Sequence, residues 1–430
     1  MKIYNLADYG ITEGAILNTA AIQRVIDECS ENGGGEVVIP AGIYRIAGLL
    51  LRSYVTLRLS SGTILLGSDI PTDYNHYKDL VQVEKCSSEL KNKRPSIDRF
   101  SAWNNGIIKA IDATDIGIIG EPHSFIDGVN CFDESGEEGY RGPHAINIWG
   151  CKNVHLSGYT IMNSANWAHA IFECENVHID GVSVKGGHDG IDVFRCKNVL
   201  IEDCDLATGD DCIAGYGNLC VEVRNCKLNS ACSVFRFGGR SVHIHDCTHT
   251  APARYPHRFK LTKEERAART LVIDACRTNT LTAFLFYSDV RFPVLAPQGD
   301  ILVERCRFEE IDALFHMNFG NHIWCCASPL DSITFRDCTA TVCEPTYVSA
   351  DKDAPFTLTL DNVTLCAKEG CTDRAIIDGA IFDTINITGT SLSGFESPTV
   401  INRCNGAINS TFSTPISIVS KEYEKNLDSK

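Results

Sequence analysis

Three acidic residues stand in short, glycine-flanked turns. Asp189 lies in Gly187-His188-Asp189-Gly190-Ile191-Asp192, and Asp210 and Asp211 lie in Thr208-Gly209-Asp210-Asp211-Cys212. An aspartate in a turn often does no more than bond its own backbone. Two or three carboxylates gathered in a groove can instead hydrolyse a glycosidic bond, one protonating the leaving oxygen while another activates water. Crowding raises at least one of their proton affinities, which keeps an acid protonated near neutrality. Asp189 and Asp210 are 21 positions apart. They meet only if the chain returns to the same place about every 21 residues.

The chain around them repeats at that period. Cys151-Lys152-Asn153-Val154, Cys174-Glu175-Asn176-Val177 and Cys196-Lys197-Asn198-Val199 recur at steps of 23 and 22. A second series runs Gly158, Gly181, Cys204, Cys226, Cys247 and onward at wider steps through Cys276, Cys306 and Cys338. Each cysteine of that series ends a β-branched run, such as Val199-Leu200-Ile201-Glu202-Asp203 or Val221-Glu222-Val223-Arg224-Asn225. A repeat of this length, without helical periodicity and rich in strand formers and turn residues, predicts a parallel β-helix. The leucine-rich alternative needs a Leu-x-x-Leu-x-Leu pattern that is absent. Successive coils lie about 4.8 Å apart, so equal positions stack and the cysteines form an inward column of small, soft side chains.

The whole chain, 1–430, reads as one all-β solenoid. Residues 1–75 form an N-terminal unit in which Asn18–Cys29 carries apolar residues at helical spacing, a cap for the first coil. Strands are predicted at Glu36–Ile39, Gly42–Ile46 and Val55–Leu59. Residues 76–105 read as an insertion containing Trp103, and Asp133–Glu138 as a solvated acidic loop. Coils 141–345 carry the acidic turns. Thr250–Arg269 is the largest loop, with a basic, helix-like stretch at Phe259–Arg266. Phe356–Leu360 and Ala375–Ile387 suggest further coils, and 421–430 is a charged tail.

The formal charge is −16 and the pI about 5.3. Nucleic acid needs a basic footprint, so it is not the expected partner. No stretch approaches 18 uninterrupted apolar residues, so no membrane span is expected. The N-terminus shows no signal-peptide pattern, and the 21 cysteines are spread evenly. That combination predicts free, buried thiols in a cytoplasmic protein rather than a disulfide framework.

With these motifs in hand, the chain resembles glycoside hydrolase family 28, the polygalacturonase-like right-handed parallel β-helices. The N-terminal unit looks like that family's cap, and Ile126-Asp127-Gly128 and Arg141-Gly142-Pro143 look like its approach to the first full coils. The family carries Asn-Thr-Asp-Gly and, about twenty residues on, Gly-Asp-Asp-Cys-Ile-Ala. Here the counterparts are Gly187-His188-Asp189-Gly190 and Gly209-Asp210-Asp211-Cys212-Ile213-Ala214. The resemblance implies inversion, with Asp210 protonating the leaving oxygen and Asp189 and Asp211 holding and deprotonating water. An inverting pair needs about 6.5–9.5 Å between carboxyls.

Two departures restrict the substrate. The family's Gly-His-Gly falls at Cys232, in Ser230-Ala231-Cys232-Ser233, with His188 as a candidate substitute that strand alternation would point away. The family's Arg-Ile-Lys, which grips a uronate, falls at Leu285-Phe286-Tyr287 if Cys276 stacks on Cys226. A carboxylate needs charge-assisted partners. So the sugar is expected to be neutral, not galacturonate, unless Arg236, Arg291 or Lys260 holds the carboxylate instead. Arg236, between Phe235 and Phe237, suits a groove or an interior ion pair.

Trp149, Trp167, Tyr287 and Trp324 could stack on sugar faces or simply pack. His316 could face substrate. His316, His322, Cys325 and Cys326 lack a zinc-site spacing, so no metal and no cofactor are expected, and a nucleophilic Cys232 lacks a placeable partner. The leading reading is therefore an exo-acting cytoplasmic glycosidase for an oligosaccharide or glycoside. Exo action follows if the loops at 76–105 and 250–269 block one end of the groove. A lyase or epimerase on the same fold, and a non-catalytic carbohydrate-binding β-helix, are the alternatives.

Overall fold

The computed structural model describes residues 2–74, 105–258, 261–268, 279–289, 294–320, 325–412 and 416–420. Expectations for the insertion at 76–104, Trp103, Lys260, Cys276, Arg291, His322, Trp324 and the tail lie outside these residues.

Each central coil has three strands, as in His169–Phe172, Glu175–Asp180 and Ser183–Gly186. Every named strand pairs in parallel with its counterpart one coil away, and all belong to one right-handed β-helix. The register holds along two neighbouring columns of the central coils, with shifts elsewhere at Gly215/Asn218, Phe308/Ile311 and Val348/Ser349. The column Ile146, His169, Ile191, Ile213, Phe235, Phe284 and Phe315 points into the core. Its neighbouring column, Asn147, Ala170, Asp192, Ala214, Arg236, Leu285, His316 and Tyr347, faces outward. Strand alternation alone separates the two.

The repeat motif has a mechanical reason. Asn153, Asn176 and Asn198 take left-handed backbone conformations, with φ of 54°, 58° and 54°. Asparagine tolerates that region better than most residues. Their side-chain amides then bond one another from coil to coil, at 2.9 and 3.1 Å. The cysteines before them are buried, and Cys174 Sγ and Cys196 Sγ accept the backbone N–H of Cys151 and Cys174, one coil earlier.

The second cysteine column runs through Cys204, Cys226, Cys247, Cys306 and Cys338. Here the expectation needs correction. His245 pairs with Glu304, so Cys247 is followed directly by Cys306 in the described column. The 58 intervening residues include the large loop and a strand of the next coil, Thr280–Phe286. A second correction concerns the thiols. Cys343 and Cys371 are joined in a disulfide, while the cysteines of both columns are free. Cys371 follows a turn that brings it 5.1 Å, Cα to Cα, from Cys343, a juxtaposition that even cysteine spacing does not reveal.

The helix Thr19–Glu31 buries Ile22, Val25, Ile26 and Cys29 and covers the first coil, as expected of a cap. The early strands run Gly35–Ile39, Gly42–Ile46 and Val55–Leu59. Ala375–Ile387 resolves into two strands, Ile377–Ile381 and Thr384–Thr388. No helix among the described residues is long and apolar enough to cross a membrane.

The interior aromatic stack gives a direct test. Phe284 is fully buried, with Phe235 and Phe315 at 6.4 and 6.1 Å between ring centres. Phe284→Ala should cost about 3–5 kcal/mol, read as a lowered denaturant midpoint.

Candidate active site

The acidic turns come together because they begin successive copies of the same strand. Asp189 precedes Ile191–Phe194, and Asp210 and Asp211 precede the strand starting at Ile213, which pairs with it. A buried histidine supports the first turn from beneath. His169 Nδ1 lies 3.0 Å from the Gly190 carbonyl, and its Nε2 lies 3.0 Å from Tyr159 Oη. Burial pushes His169 down to about 4, so it is a neutral strut whose Nδ1–H donates to Gly190 and whose Nε2 accepts from Tyr159.

One oxygen from each of Asp189, Asp210 and Asp211 lies within 4.8 Å of the others. Nearest oxygens approach more closely than carboxyl centres, and this spacing is tighter than the 6.5–9.5 Å expected from the sequence reading. A fourth carboxylate joins them. Asp192 is 1% exposed, and neither oxygen has a hydrogen-bond partner among the described residues. The sequence carried a usable signal for it. Asp192 follows inward Ile191, so alternation sends it to the outer face, and the turn before the strand brings Asp189 close to it.

Their proton affinities diverge. Burial first, and then the charges of Asp210, Asp192 and Asp211, raise Asp189 well above the usual carboxylate range. Burial and the Asp211 and Asp210 charges do the same to Asp192. Asp211 is raised by burial and Asp210, with Arg236 opposing. Burial also pushes Asp210 upward, but contact with His257, its charge, and those of Arg141 and Arg236 outweigh it and hold Asp210 low.

The cations come from three places. Arg236 Nη1 stands 3.6 Å from Asp211 Oδ2 and lies over the Tyr287 ring at 4.2 Å. Arg141 is buried against Glu137, Glu138 and Asn166. His257 Nε2 stands 3.6 Å from Asp210 Oδ1, and Arg258 Nη1 stands 3.1 Å from Asp210 Oδ2. Sequence reasoning missed His257 and Arg258, because periodicity fixes coils and says nothing of where a loop folds. The carboxylates converge as metal ligands would, but guanidinium groups already occupy Asp210 and Asp211.

The remaining expected residues divide. His188 is at the site, 6% exposed beside Tyr140. Burial and Arg141 push it down to about 3, so it contributes no charge. Cys232 sits against Asp211, its thiol raised by burial and the neighbouring carboxylates. Arg236, Leu285, Tyr287, His316, Asn318 and Cys325 line a cavity of about 240 Å³ beside the carboxylates. Leu285 pairs with Arg236, so the cation stands one coil earlier than the Arg-Ile-Lys position. Trp149 and Trp167 are buried in an outer aromatic cluster with Phe172, Phe194, Tyr216 and Tyr287. They pack rather than line that cavity.

The acidic run is a loop exposed at Glu134, Ser135 and Glu138, as expected, and it also makes contacts that the expectation did not include. Arg258 bridges Asp210 to Glu138, Lys263 pairs with Glu134 at 3.1 Å, and Asn130 Nδ2 donates to the carbonyls of Arg266 and Ala268. Among the described residues of the helix-like stretch, a helix runs over Lys263–Ala267, started by a Thr262–Glu265 capping box. The two loops thus meet on the N-terminal side of the carboxylates. The Arg236 cavity opens on the C-terminal side.

Comparison with known proteins bears on the same coils. Residues 101–243, which carry all four aspartates, match the family model described as Glycosyl hydrolases family 28. The central coils are thus similar to that family, while the match leaves the rest of the chain outside it. It is 43% identical over 74 residues to an exo-poly-alpha-D-galacturonosidase of Dickeya chrysanthemi, covering 17% of this chain and 12% of that one. It is 28% identical over 223 residues to a probable polygalacturonase of Vitis vinifera, covering 49% and 43%. The chain therefore spans less than half the length of these curated relatives. An exopolygalacturonase from Thermotoga maritima shares the fold, with a TM-score of 0.68 at 16% identity over 91% of this chain and 92% of that one.

A buried cluster of like charges should weigh on stability. A carboxyl whose pKa is raised on folding binds its proton more tightly in the folded state, so stability falls as pH climbs from the unfolded value, about 3.9 for Asp. Asp189→Asn should therefore melt higher than the native protein at neutral pH, and the gap should close toward pH 4. Thermal melts across that range check both the sign and the window.

Proposed function

We propose that this protein is a glycoside hydrolase acting on the end of an acidic oligosaccharide or glycoside. The observation that carries this reading is the site itself. Buried aspartates with divergent proton affinities lie beside a cavity lined by Arg236, which also reaches Asp211, on coils that match a hydrolase family. Groups whose environments push their pKa values apart can divide acid and base work.

Asp210 donates a proton to the leaving oxygen. Asp189 and Asp211 hold the attacking water, Asp211 takes its proton, and the anomeric configuration inverts. Asp192 lies behind them and adds to their charge. The expectation of a neutral sugar rested on the loss of the Arg-Ile-Lys position. Arg236 supports the other branch of that reading, because a cation does line the cavity. Its guanidinium can take a sugar carboxylate while its edge stays near Asp211, a charge-assisted contact worth about 1.5–3 kcal/mol. The two loops joined through Arg258 and Glu138 support exo action by walling off the N-terminal side of the carboxylates.

Two experiments test this. Pectin-derived oligosaccharides and aryl α-D-galacturonides should be cleaved, with NMR showing the inverted anomer first. Asp210→Asn should lower turnover by at least about a thousandfold. A retained anomer, or unchanged turnover in Asp210→Asn, overturns the assigned roles. Separately, Arg236→Met should raise KM for acidic substrates by roughly 10–100-fold, with little change for the matching neutral glycosides. Equal effects on both would remove Arg236 from carboxylate recognition.

A further inference from the structure

An acid must hold a proton, yet Asp210 is the carboxylate that its surroundings keep ionised. The groups responsible sit on the large loop, and that loop is fixed to the coils at several points. The Asn229 amide donates to the Thr250 and Pro252 carbonyls at 2.8 and 2.9 Å, and its Oδ1 accepts the Arg254 N–H at 2.8 Å. The Pro256 carbonyl then presses on Gly209, where any Cβ would come within 2.4 Å of it. Glycine is therefore required beside Asp210 for the loop to reach the site. The next two residues, His257 and Arg258, meet the two oxygens of Asp210 from this anchored approach.

We propose that His257 is the positioning residue of Asp210, orienting its carboxylate with Arg258 and storing the proton that Asp210 passes to the leaving oxygen. This rests on the hydrolase reading above. The separation of 3.6 Å is loose for a proton transfer and tightens once substrate is bound. The Nε2–H bond of the imidazolium breaks as an O–H bond forms on Asp210. That O–H bond breaks in turn as the leaving oxygen takes the proton, and the glycosidic C–O electron pair stays with that oxygen. Water bonds to the anomeric carbon and gives its proton to Asp211, where Arg236 opposes the rise in proton affinity. His257 then regains a proton from solvent, to which its side chain is 13% exposed. The groups facing His257 are Asp210, Cys232, His188 and its neighbour Arg258. His188, neutral and buried, is no rival source of that proton.

A leaving group that needs no proton separates this role from mere support. His257→Gln should lower kcat for methyl α-D-galacturonide by about 10²–10⁴-fold, and that for the dinitrophenyl galacturonide by under about tenfold. Equal losses on both substrates, or no loss on either, overturn the proposal. A second measurement does not depend on turnover. The titration midpoint of the His257 imidazole, followed by NMR, should fall in Asp210→Asn, because the ionised partner is gone. An unchanged midpoint overturns the proposal. If the native enzyme cleaves neither galacturonide, the substrate class proposed above fails, and the NMR comparison still decides the role of His257.

Discussion

Every position in one coil of this protein stands about 4.8 Å from its counterpart in the next, and the rest of the structure follows from that constraint. Stacking turns a repeated cysteine into a soft column, a repeated asparagine into an amide ladder, and a repeated phenylalanine into a core. It also forces like side chains together. Where the repeated residue is aspartate, stacking produces a carboxylate cluster that no local preference would choose. The interior side of each strand supplies the stability, and the exterior side carries the charge.

Such a cluster survives because cations are brought to it from outside the repeat. Arg236 rises from a later coil, Arg141 from the approach to the first full coils, and His257 and Arg258 from a loop. Their uneven placement is what makes the four aspartates differ. Asp189 and Asp192 have burial and like charges against them, whereas Asp210 has a histidine and a guanidinium at its two oxygens. Chemically identical side chains thereby become suited to different tasks.

The same loop contacts tie two insertions together. Glu138 and Glu134 of the acidic segment pair with Arg258 and Lys263 on the N-terminal side of the site. The pairing tethers the loop that carries His257 and Arg258 to an earlier coil.

The sequence by itself determined the coil, because a period of 21–23 residues with alternating burial has one economical solution. It determined that Asp189, Asp210 and Asp211 would meet, and alternation would have delivered Asp192 as well. It could not stack Cys306 on Cys247, since counting residues assumes that every interval is one coil, and here the two lie 59 positions apart. Nor could it pair Cys343 with Cys371, or send His257 and Arg258 to Asp210. Those contacts depend on how irregular segments cross the surface, where no period constrains the chain. Tertiary structure alone decided which aspartate is ionised, because that follows from the charges of neighbours far away in sequence.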